Sequence, residues 1–145
     1  MKYFKYILLL LLLPNFISCK SKTEAQKICE NYSTLTPINY DGGSLYFVYC
    51  DDGIFSYAYR MDYNKNDFTA DAIRIQSVKT EIELTKIINS NEEYIKIRKD
   101  KYGLIFSYKD SNNKHMYSVC YSINKQGLYY YDKEFSDKID DMFKK

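Results

Sequence analysis

The chain has 145 residues with 21 basic and 19 acidic side chains, a formal charge of +2, 17 tyrosines and no tryptophan. That length and mix suit one domain with a single core. The near balance of charge gives no sign of nucleic-acid or acidic-polymer binding, and five glycines leave no candidate for a G-x-G-x-x-G phosphate loop.

Lys2 and Lys5 precede a continuous apolar run from Ile7 to Leu13, which ends at Pro14 shortly before Cys19. A basic end, a short apolar middle and a small-residue exit describe a secretory signal peptide. The run is too short to span a bilayer, which takes about 20 apolar residues. Ser18 suits the last position before cleavage, but Phe16 does not fit the small residue that A-x-A cleavage wants two positions earlier. Phe16-Ile17-Ser18-Cys19 instead resembles a bacterial lipobox, with Phe where Leu is usual.

The resemblance covers the first nineteen residues. It implies cleavage before Cys19, a thioether-linked diacylglycerol on its sulfur and a fatty acyl group such as palmitate on its new amino group. The chain then divides into a signal peptide, 1–18, and a single lipid-anchored domain, 19–145. Several acyl chains hold a protein stably where one is marginal. Lys20 is not the Asp that retains lipoproteins in the inner membrane, so the same resemblance implies an exported envelope protein on the periplasmic side of an outer membrane. Both leader lysines leave with the signal, so the mature part carries 19 basic and 19 acidic residues.

In chain order, Ser21 and Glu24 have capping-box spacing, and Ala25, Ile28, Cys29 and Tyr32 fall on one helical face, predicting a helix over 22–33 that stops at Thr36-Pro37. Asp52-Gly53 between two apolar runs predicts a two-residue hairpin pairing Cys50 with Phe55, Val48 with Tyr57 and Tyr46 with Tyr59. Asp62 to Asp67 is a polar loop that lacks the glycine and terminal glutamate of a calcium loop. Residues 72–78 alternate as a strand, with Ile73 and Ile75 on one face. Thr80 and Glu83 then cap a short helix bearing Leu84, Ile87 and Ile88, which Asn89-Ser90-Asn91 stops.

Strands follow at 94–98, 104–108, 116–123 and 128–131. Phe135, Ile139, Met142 and Phe143 predict a C-terminal amphipathic helix. The expected fold is α+β, an antiparallel meander of about six to seven strands with short helices at the N-terminus, middle and C-terminus packed on one face. The order is similar to that of small secreted inhibitors of the beta-lactamase inhibitor type, without a shared motif.

With Cys19 lipidated, Cys29, Cys50 and Cys120 remain, and an exported protein sits where disulfides persist. Cys29–Cys50 is the preferred bridge, because the hairpin points Cys50 at the first helix; Cys120 is the alternative partner. None of the spacings has a zinc or redox form, and no metal or other cofactor is expected. His115 is the only histidine, expected to be solvated beside a polar turn, and five positions from Cys120 puts the two on opposite strand faces. No serine sits in G-x-S-x-G. These absences predict a protein that is not an enzyme.

The expected role is a protein-binding or inhibitory module held at a membrane by its lipid. The partner would be a toxin it neutralises, an envelope hydrolase it inhibits or a receptor it blocks, with Tyr57, Tyr59, Tyr129 and Tyr131 as interface candidates. Two alternatives stand beside it. One is a structural or assembly lipoprotein without a competitive target. The other is a hydrolase using dispersed carboxylates, which would need a carboxyl pair in a concave pocket with one raised pKa.

Overall fold

The computed structural model describes residues 21–144. The expected signal peptide, 1–18, and the expected lipidation site Cys19 lie outside the described residues. Within them one sheet runs in chain order through β1 (Ile38–Tyr40), β2 (Gly43–Asp51), β3 (Ile54–Met61), β4 (Gly103–Lys109), β5 (His115–Ile123) and β6 (Tyr129–Tyr131). The helices are α1 (Glu24–Leu35), α2 (Ala70–Ile87), α3 (Glu92–Lys99) and α4 (Lys133–Met142). The α+β class holds, but the sheet is mixed: β3 and β4 are parallel and every other neighbouring pair is antiparallel.

The parallel pair follows from two corrections. Residues 72–78 and 94–98, expected as strands, are parts of α2 and α3. Adjacent parallel strands need a crossover, and these two helices supply it. Thr69 caps α2 by accepting from Ala72 N, and the 18 residues that follow contain neither glycine nor proline. Thr80, expected as a cap, lies inside the helix. Asn91 caps α3, with Glu92 and Glu93 in the first turn and Lys96, Arg98 and Lys99 in the last, the order that a helix dipole favours.

Helix α1 falls close to its expected span, but its capping box uses Thr23 and Gln26, not Ser21 and Glu24. Asp100, in the α3–β4 turn, adds a second cap by accepting from Ala25 N at 2.8 Å. The β2–β3 hairpin turns through Asp52 (φ 46°) and Gly53 (φ 75°), the paired left-handed conformations of a type I′ turn. Cys50 pairs with Phe55 and Val48 with Tyr57 as expected. A bulge then takes Tyr46 out of the ladder, so Tyr59 pairs with Leu45 instead. Arg60 and Lys109 lie over the displaced Tyr46 ring at 5.8 and 5.9 Å.

The helices occupy both faces of the sheet, not one. Helices α1 to α3 close the face carrying Val48, Phe55, Tyr57, Leu104, Phe106, Val119 and Tyr121, all buried. Helix α4 covers the reverse side of β5, where Ser136 Oγ accepts from Cys120 N at 2.8 Å. Strand β5 is therefore buried on both sides from Met116 to Tyr121. Glu93 on α3 accepts from Tyr57 at 2.7 Å and from Tyr32 at 2.9 Å, tying α1, α3 and β3 together.

Candidate functional site

Helix α2 has apolar residues on two opposite sides. Turning 100° per residue from Thr80, Ile73 and Leu84 stay on the sheet side, while Ile75, Val78 and Ile82 fall on the far side. All three of the latter are about half exposed, at 52%, 46% and 49%. A surface helix ordinarily turns one apolar stripe inward and a polar face outward. The inner side here is part polar: the buried Thr80 Oγ1 and Tyr117 Oη share a hydrogen bond at 3.1 Å, while the exposed Thr85 Oγ1 reaches Tyr121 Oη at 2.9 Å from the flank of the helix.

The outer stripe runs into a cleft of about 420 Å³ between the start of α2 and the ends of β3 and β5. Met61, Tyr63, Phe68, Ile73 and Met116 line it, Ile75 joins it to the stripe, and Lys79 stands at its rim. Arg74 pairs with Asp71 at 3.8 Å, but both are solvated and the pair adds little. An apolar strip beside an apolar-lined cleft can receive the aliphatic or aromatic face of another helix. The sheet edges offer much less: β1 and β6 are three residues each, too short for a partner to add a strand.

The expected interface tyrosines are placed elsewhere. Tyr57 and Tyr129 are 2% and 4% exposed and cannot reach a partner without unfolding. Tyr59 and Tyr131 are half-buried and pack against the core. The hydroxyls of the two buried ones do structural work: Tyr57 donates to Glu93 at 2.7 Å and Tyr129 to Tyr102 O at 2.9 Å. The signal for the real exposed strip was present in the sequence as Ile75, Val78 and Ile82 at i, i+3 and i+7, once Thr69 is taken as the cap.

The expected Cys29–Cys50 disulfide is also corrected: Cys29, Cys50 and Cys120 are free thiols. Helix α1 does bring Cys29 near Cys50, where both line one shallow depression, but the two sulfurs are not at bonding separation. Burial pushes the Cys29 thiol up to about 11 and Cys120 up to about 12. Both are thus protonated at neutral pH and poor nucleophiles.

His115 is not solvated, since its side chain is 9% exposed. Its Nε2 lies 2.8 Å from Asp140 Oδ1, and its ring stacks on Phe143 at 4.3 Å. Ser118 Oγ is 3.5 Å from the same Nε2, while Nδ1 is buried without a partner. A Ser-His-Asp triad needs the acid on one ring nitrogen and the nucleophile on the other, so this wiring does not make one. A bulge near Met116 also places His115 on the same face as Ser118, and hence as Cys120, correcting the expectation of opposite faces. Among the described residues no group of three His, Cys, Asp or Glu side chains could hold a metal, and no helix is long and apolar enough to cross a membrane.

No family model and no curated protein matches the sequence. Among solved structures, the fold is shared with a protein of Pseudomonas aeruginosa described as secreted, with a TM-score of 0.56, 13% identity, and coverage of 68% of this chain and 85% of that one. The type II secretion system pilotin AspS of Vibrio cholerae overlaps at a TM-score of 0.48 and 8% identity, over 72% of this chain and 88% of its own. The pilotin EpsS of the Vibrio vulnificus type 2 secretion system gives 0.47 and 9%, over 66% and 82%. Those two overlaps are too low to establish a common fold.

Proposed function

We propose that this chain is an exported lipoprotein, anchored through Cys19, that works by binding another protein along the outer side of α2, and that it is not an enzyme. The carrying observation is the Ile75–Val78–Ile82 strip, three branched apolar side chains facing water on a helix whose opposite side already packs on the sheet. Covering half of each such side chain is worth about 1 kcal/mol, so the strip and the adjoining cleft together support a specific contact with an amphipathic helix. Export is supported by the leader pattern and by a fold shared with a protein described as secreted. Thiols held protonated and a histidine wired to one side only support the non-catalytic reading.

The test is affinity capture from envelope extracts with the wild-type chain and with the triple variant Ile75→Ser, Val78→Ser, Ile82→Ser. A stoichiometric protein retained by the first and lost by the folded second is the expected result. No such protein, or equal retention by both, overturns the binding face. The anchor is read separately: Cys19→Ala should move the protein from membranes to the soluble fraction, and unchanged membrane association would defeat it. Deletion then separates inhibition from assembly, since loss of an assembly factor perturbs the envelope in pure culture, whereas loss of an inhibitor matters only when its target is present.

A further inference from the structure

The end of the sheet where the described chain begins is also where unpaired cations gather. Asp100, which caps α1 through Ala25 N, stands between Lys99 and Lys101. Those two lysines, with Arg98 and Lys125, line an open depression of about 640 Å³ between the end of α3 and the β5–β6 turn. Arg98 is committed to Asn89 Oδ1 at 2.8 Å and lies over the Tyr129 ring. Lys99, Lys101 and Lys125 are exposed, and none has an ion pair among the described residues. Leu128, 43% exposed, projects from the same turn. The acidic neighbours are Glu24, which is paired with Lys27, and Asp51 and Asp52 in the β2–β3 turn, whose Gly53 O accepts from Gly103 N.

Cys19 lies six residues before Ala25, a reach of about 20 Å at full extension. On the proposed anchoring, a short tether therefore holds this end of the domain against the bilayer. We propose that Lys99, Lys101, Lys125 and Leu128 form a face that rests on anionic phospholipid headgroups. Exposed lysines are mobile point charges, suited to a layer of many phosphates rather than to one enclosed anion. An exposed leucine among them matches the boundary between headgroups and acyl chains. The attraction need not be strong by itself, because the tether raises the local concentration of headgroups. The inference rests on the Cys19 reading for its geometry, not for its test.

That test uses the non-acylated mature chain, residues 20–145, which contains every described element of the fold. Flotation at low salt with equimolar phosphatidylglycerol and phosphatidylcholine vesicles is compared with phosphatidylcholine alone. Binding is expected only to the anionic vesicles, falling about tenfold or more at high salt and in Lys99→Glu/Lys101→Glu/Lys125→Glu. Leu128→Ser should weaken it less. Lys109→Glu/Lys114→Glu, at the other end of β4, should leave it unchanged. Equal binding to both vesicles, none to either, or an equal loss in the control variant overturns the proposal. Displacement by free inorganic phosphate would show a single-anion pocket and overturn it too. Should the triple variant fail to fold, the lipid and salt dependence of the wild type decides. Because no acyl chain is present, a failed Cys19→Ala fractionation and a failed flotation are separate results.

Discussion

The two sides of α2 invert the usual order of a surface helix. The side against the sheet carries the buried Thr80, satisfied by Tyr117, alongside Ile73 and Leu84. The side facing water carries Ile75, Val78 and Ile82. The Tyr117 hydroxyl pointing at the helix makes the buried Thr80 tolerable, since a buried polar group costs little once it is hydrogen-bonded. Among the described residues, these three stand outside the packed core. Stability resides on one side of this helix, and the proposed recognition would use the other.

That division can be broken by experiment. The largest effect is expected from Ile88→Ala at the inner C-cap of α2, where the side chain is fully buried: about 2–5 kcal/mol lost in urea denaturation. Next comes alkali. Burial pushes Tyr117 and Tyr121 up to about 12 in the fold, against about 10 unfolded. The folded state holds these protons more tightly, so their contribution is intact below pH about 10 and is lost as pH rises towards about 12. Denaturation along that limb should show the fall, and Tyr121→Phe should reduce its steepness; an unchanged slope would mean that the inner hydroxyls are not held neutral by the fold.

Thr80→Val should cost about 1 kcal/mol, because Tyr117 keeps Gln76 as a partner. Smallest of all, Ile75→Ser, Val78→Ser and Ile82→Ser should each stay within about 0.5 kcal/mol. Serine, valine and isoleucine have similar helix propensities, so the backbone is not the issue. A combined loss well beyond that range would mean that the outer strip serves the fold after all.

The same two-sidedness explains what could be read from the sequence. Helices α1 and α4 each have a single apolar stripe, and their positions were legible from spacing alone. The β2–β3 hairpin was legible from Asp52-Gly53, whose backbone demands are local. Residues 72–78 of α2 were not, because Ile73 facing in and Ile75 facing out imitate the alternation of a strand. In α3, Lys96 and Arg98 between Tyr94, Ile97 and their neighbours do the same over only eight residues. Misreading those segments hid the crossover, and with it the parallel pairing of β3 and β4. The bulges at Tyr46 and Met116 depend on long-range register and leave no local mark. For the site, spacing carried the outer strip once the cap at Thr69 is recognised, whereas abundant tyrosine misdirected attention to Tyr57 and Tyr129, whose rings the core needs.

The pairing of β3 with β4 also bears on when the molecule can finish folding. Gly103 sits beside Ile54, and everything between them must first swing across the sheet. The β2–β3 hairpin can close as soon as its own residues are available, but the centre of the sheet waits for α2 and α3 to settle and for β4 to arrive. Assembly dominated by such distant partners is slow relative to that of a simple meander. A newly made chain would therefore pass through an interval in which the first hairpin exists and its aromatic surface still lacks a neighbour.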